Sequence, residues 1–134
     1  MTFYQSEINR IKGICYSNEG QLRTVISARN YLNDNLDREV NLDQLSNLVF
    51  TSKFHLLRLF KRYYGLTPGQ YVIHRRLEES KTCLKMGMTV TQTCHSVGFE
   101  SPSSFSTLFK RKIGITPSDF RKEQFSQSPF RNNS

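Results

Sequence analysis

The feature that most constrains the fold of this chain is an internal duplication. Residues 59–71 and 108–120 are identical at seven of 13 aligned positions, namely Leu59/Leu108, Phe60/Phe109, Lys61/Lys110, Arg62/Arg111, Gly65/Gly114, Thr67/Thr116 and Pro68/Pro117. Leu66/Ile115 and Tyr71/Phe120 are conservative, so both segments read L-F-K-R-x-x-G-[LI]-T-P-x-x-[YF] at a spacing of 49 residues. Two copies are too few for a solenoid and make a duplicated unit.

The shared motif has a mechanical meaning. Gly65 and Gly114 suit the position just past a helix, where the backbone needs positive φ without a Cβ. Thr67-Pro68 and Thr116-Pro117 then supply an N-cap hydroxyl and a proline at the first helical position, so each pair starts a new helix. Upstream, Leu56, Leu59, Phe60 and Tyr63 recur at i, i+3, i+4, i+7 and predict a buried stripe. Phe105, Leu108, Phe109 and Ile113 do the same in the second copy. A shorter helix precedes each of these, opened by Asn41 with Gln44 and by Thr89 with Gln92 at capping-box spacing. Measured from these caps the offset is 48 residues rather than 49, so the second turn holds one extra residue.

The expected architecture is therefore all-α, with about seven helices and no strand of useful length. It has a first helix-turn-helix over 41–65, a linker helix over 68–86 ended by Gly87, and a second helix-turn-helix over 89–114. Ile73, Leu77, Ser80 and Leu84 mark the linker's buried face. Leu22, Val25, Ile26, Leu32 and Leu36 predict a further helix capping the first bundle. Residues 1–20 lack clear periodicity and 122–134 end in a polar run, so both are expected as mobile tails around one domain at 21–121.

Charge narrows the function. Of 19 Lys+Arg and 11 Asp+Glu, residues 1–39 hold five of each, so the whole net charge of +8 lies beyond residue 39. That distribution fits a polyanionic partner. Three cysteines without metal-type spacing suit a reducing compartment and a cytosolic chain. His55, His74 and His95 are scattered without ligand partners, and neither a signal peptide nor a membrane-length apolar run is present. No cofactor and no metal are expected. The absence of a phosphate-binding glycine loop, a nucleophile elbow or a paired-carboxylate arrangement gives catalysis little support.

With both copies in view, residues 21–121 resemble the AraC/XylS-type DNA-binding domain, in which a linker helix joins two helix-turn-helix units. The most specific part is the second copy, carried by Gly98, Phe99, Ser101, Phe105, Phe109, Lys110, Arg111, Gly114, Thr116, Pro117, Phe120 and Arg121. Three residues depart from the family pattern: Phe50 stands where the first turn usually has glycine, Thr93 where a large aliphatic is usual, and Thr107 where a long basic residue is common. The resemblance implies a transcriptional regulator, activator or repressor, bound to double-stranded DNA at an asymmetric promoter site and working at the bacterial nucleoid, with RNA polymerase as a further partner. Family members commonly carry a separate sensor domain. This chain is expected either to be a short stand-alone member or to lack a sensor present in a longer protein, and its initial Met1 favours the former.

The duplication supplies two reading heads in one polypeptide, so the chain is expected to bind as a monomer. Helices near 53–64 and 102–113 would enter successive major grooves. In the first head Lys53, Phe54, Leu57, Arg58 and Lys61 share the outward side, followed by Arg62. Arg58 is the leading base reader, since a guanidinium can pair bidentately with guanine. Phe54 and Leu57 have two readings, thymine-methyl contact or packing on the scaffold. In the second head Ser103, Ser106 and Thr107 occupy the reading positions, with Lys110 and Arg111 as phosphate anchors. Ser52 and Ser101 are expected to cap the reading helices and to suit phosphate contact. Cys94 and Cys83 are read as packing residues. A protein-interaction module explains the amphipathic helices but not a duplicated basic stripe, and a domain attached to a DNA-repair methyltransferase would need a catalytic part that is not seen.

Overall fold

A computed structural model describes residues 3–126, and among these every regular element is helical. The order is α1 (Phe3–Asp34), α2 (Leu42–Leu48), α3 (Lys53–Tyr64), α4 (Pro68–Lys85), α5 (Val90–Ser96), α6 (Pro102–Ile113) and α7 (Pro117–Ser126). The chain divides into two compact units. One contains α1, α2, α3 and the start of α4 to Tyr71; the other contains residues 35–39 and the described residues from Val72 onward.

Both ends differ from the expected tails. Residues 3–20 are helical and continuous with the helix predicted from about residue 21. Weak hydrophobic periodicity did not signal them, yet no proline interrupts 3–34, and an internal glycine such as Gly20 costs a helix only about 1 kcal/mol. Residues 122–126 complete α7; the remainder of the expected C-terminal tail lies outside the described residues.

In the first unit Val25, Ala28 and Leu32 of α1, Leu45 of α2, and Leu56, Leu59 and Phe60 of α3 are buried. Phe60, Tyr64 and Tyr71 form an aromatic cluster with ring centroids 4.9–5.8 Å apart. The Tyr71 hydroxyl donates to Asn33 Oδ1 at 2.8 Å, which gives the polar end of that cluster a partner. Tyr63, expected in the buried stripe, is half-exposed with its hydroxyl 3.5 Å from Gln21 Oε1. A phenol at the rim of a stripe keeps its polar tip in water.

In the second unit Leu77, Leu84, Cys94, Phe105, Phe109 and Phe120 make the core. Phe99, Phe105, Phe109 and Phe120 run through it in successive ring contacts of 5.1–5.7 Å. Ile73 lies outside the linker's inward face, where Val72 is buried instead.

The caps match the sequence chemistry. Asn41, Ser52, Thr89 and Ser101 each accept from the backbone N–H three residues on. Gly65 and Gly114 end α3 and α6 with φ of 72° and 102°.

The two tight turns share one backbone solution. After α2, the Thr51 N–H donates to the Ser46 carbonyl and the Phe50 N–H to the Asn47 carbonyl; after α5, Phe99 donates to Cys94 and Gly98 to His95. This paired closure demands a left-handed residue at Phe50 and at Gly98, whose φ values are 56° and 97°. A side chain there costs roughly 1–2 kcal/mol. In the second turn it would also collide, because a Cβ on Gly98 would lie 2.8 Å from Asp37 Cα and 3.0 Å from the Leu36 carbonyl oxygen. Phe50 is free of such a cover, with its ring 96% exposed.

Candidate DNA-binding surfaces

In the first unit the burial of Leu56, Leu59 and Phe60 fixes the rotation of α3 and turns Phe54, Arg58 and Lys61 outward. Ser52 spends its hydroxyl on the His55 N–H at 3.2 Å. Lys53 is half-buried; its ammonium lies 3.5 Å from Asp43 Oδ1 and 5.7 Å from the centroid of the Phe54 ring. Part of its charge is thus answered from α2. Phe54 is 70% exposed, so of its two readings packing on the scaffold is not what the structure shows. Leu57 is partly buried at the flank.

Arg58 and Lys61 are exposed, and among the described residues neither has an ion-pair partner. Arg62 lies at the edge of this face, its guanidinium 5.9 Å from the Tyr63 ring centroid, beside a shallow depression shared with Asn18, Glu19 and Leu22. Lys61 and Arg62 also occupy the last turn of α3, where positive charge complements the helix dipole.

The second unit presents a different chemistry at the equivalent helix. Phe105 and Phe109 are buried, which turns Ser103, Thr107 and Lys110 outward and leaves Ser106 at a half-buried flank. Three hydroxyls at this helix have local partners: Ser101 Oγ accepts from the Ser104 N–H at 3.2 Å and sits 3.4 Å from Ser103 Oγ, while Thr107 Oγ1 donates to the Ser103 carbonyl at 2.9 Å. Free positive charge is confined to the last turn, with Lys110, Arg111 and Lys112 all exposed. Lys112 was not among the sequence candidates; its exposure and position beside the L-F-K-R motif were the available signal.

A residue without a local signal is Arg76 on α4. Its Nε donates to the Leu36 carbonyl at 2.6 Å, its Nη2 to the Arg38 carbonyl at 2.7 Å, and its guanidinium lies 5.7 Å from the Phe99 ring centroid. Burial lowers its pKa from the ordinary value, with Asp37 acting in the opposite direction. These contacts hold residues 36–38 over the second turn, so this arginine is spent within the unit. Arg121 is likewise occupied, donating to the Gly87 and Met88 carbonyls.

Burial pushes the thiols of Cys94 and Cys83 up, with Glu79 adding to the rise at Cys83. Protonated thiols are poor nucleophiles, which suits packing. Among the described residues no group of His, Cys, Asp or Glu could hold a metal ion, and no helix is long and apolar enough to cross a membrane.

A family profile described as a helix-turn-helix domain matches residues 45–123, more than half of the chain. The transposon Tn10 TetD protein of Escherichia coli is 30% identical over 123 residues, covering 90% of this chain and 88% of that protein. The chain belongs to the AraC/XylS-type helix-turn-helix family. Several of its relatives are described as transcriptional regulators. One is the probable transcriptional regulator LumQ of Photobacterium leiognathi, 32% identical over 93 residues. That match covers 69% of this chain and 38% of LumQ, so the chain spans well under half the length of that relative. Among solved structures, an AraC-type DNA-binding domain-containing regulator from Chromobacterium violaceum superposes with a TM-score of 0.73 at 25% identity, covering 82% of this chain and 99% of that one.

Proposed function

We propose that residues 21–121 form a sequence-specific reader of double-stranded DNA that binds as a monomer and works with unequal heads. The carrying observation is the outward face of α3, where Arg58 and Lys61 stand exposed and unpaired among the described residues on a helix whose opposite face is buried. Arg58 reads a guanine bidentately, Phe54 meets a thymine methyl, and Leu57 packs at the flank. Lys61, Arg62 and the helix start at Ser52 and Lys53 hold phosphates.

In the second head Lys110 and Arg111 anchor the backbone. Ser101, Ser103, Ser106 and Thr107 add short-range contacts of low discrimination, because short hydroxyls reach less far and those of Ser101, Ser103 and Thr107 are already partly satisfied. Base preference there comes mainly from DNA shape. The chain acts on transcription in the bacterial cytoplasm at the nucleoid, activating through contact with RNA polymerase.

Footprinting with measured stoichiometry tests the monomer: one chain per duplex, protecting roughly 20 base pairs of a non-palindromic site, is expected if each head takes its own major-groove segment of about one turn. Two chains on inverted halves would contradict it. Salt titration tests the electrostatics. With about six to eight phosphate contacts, log K should fall against log salt with a slope of about −5 to −7, and a slope near −1 would exclude this interface.

A further inference from the structure

Phe50 combines two unfavourable features that nothing within its own unit offsets. Its backbone is held in the left-handed region, and its ring is almost fully open to water. Glycine would satisfy the same turn without strain, as Gly98 does in the second copy, where a side chain is excluded by the backbone of residues 36 and 37. The strain at Phe50 is therefore not required by the fold, and strain retained at an exposed position points to a contact outside the chain.

Its location says which contact. Phe50 lies two residues before the N-cap Ser52, at the end of α3 whose first turn carries the exposed Phe54. The N-terminal end of a reading helix is the part that meets base edges. Phe50 thus adjoins, along the chain, the N-terminal end of the proposed α3 interface, and the major groove offers one apolar group of matching chemistry, the 5-methyl of thymine.

We propose that Phe50 is a specificity-determining residue that packs against the 5-methyl group of a thymine at the edge of the segment read by α3. The inference rests on the DNA reading of α3, and the place of Phe50 two residues before the N-cap of that helix commits it to DNA rather than to a protein.

The test uses the full chain and a duplex selected by it from a random library, with each thymine replaced in turn by deoxyuridine. One such replacement should weaken wild-type binding about fourfold, the effect of losing one buried methyl. Phe50→Gly and Phe50→Asn, both compatible with the left-handed turn, should weaken binding to the thymine duplex by at least as much. Both should become indifferent to that one deoxyuridine while the salt slope is unchanged. Phe50→Gly should also raise Tm, which separates lost contact from lost folding. Affinity unchanged in both variants overturns the proposal and leaves the ring to a protein partner or a second copy of the chain. A loss that is coupled to no thymine overturns it as well. A wild-type chain that selects no sequence overturns the DNA reading itself and this contact with it.

Discussion

In the first helix-turn-helix the left-handed turn position is filled by Phe50, open to water, and in the second by Gly98, lying under the backbone of residues 36 and 37. The reading helices diverge in the same way. α3 turns a free arginine and a free lysine outward, whereas α6 turns out hydroxyls that bond within their own helix and keeps its cations in the last turn. Duplication preserved what closes the helices and buries their stripes, and it released what faces outward. The second copy is tied down around its turn, and the first is exposed around its turn.

The largest expected effect separates the two turns. Gly98→Ala should destabilise the chain by about 2–5 kcal/mol, combining left-handed strain with a collision against Asp37 and Leu36. Phe50→Gly at the matching position should stabilise it by about 1 kcal/mol. Urea unfolding of both variants checks the pair; a Gly98→Ala chain as stable as wild type would show that the cover over the second turn yields easily.

Next in size is the division of labour on α3. Arg58→Ala should lose about 1–3 kcal/mol of affinity and relax preference at one base pair, while Lys61→Ala should weaken every duplex alike and lower the salt slope by about one. Binding of both variants to matched and single-substituted duplexes decides it, and a uniform loss for Arg58→Ala would make this residue a phosphate contact.

A smaller effect lies in the cores. Leu45 of α2 is matched by Thr93 of α5, fully buried with Oγ1 lacking a hydrogen-bond partner among the described residues. Thr93→Val should raise stability by about 1 kcal/mol by removing that unsatisfied hydroxyl. A lower urea midpoint in this variant would mean that the hydroxyl has a partner in solution.

Much of this was legible because it is local. The motif glycines, the Thr-Pro starts and the capping pairs act within a few residues, and they placed six of the helix junctions where the structure has them. The extra residue in the second turn also follows from spacing alone, and the structure places it at Glu100. What sequence could not show depends on distant partners. Arg76 reads as one more basic residue of the linker until Leu36 and Arg38 are seen to occupy it. Thr107 is a different case, since its partner is local: a threonine in a helix can turn its hydroxyl outward or back onto the carbonyl four residues before, and only the structure shows it on Ser103. Helix α1 was cut short because a helix can continue through residues with little amphipathic pattern.

The central claim, one chain with a discriminating first head and an anchoring second head, is tested most directly by affinity across every single base-pair substitution of a selected site. The account predicts losses of about 1–3 kcal/mol per substitution in the half facing residues 53–61 and smaller losses in the half facing residues 102–110. Larger losses in the half facing residues 102–110 would contradict it.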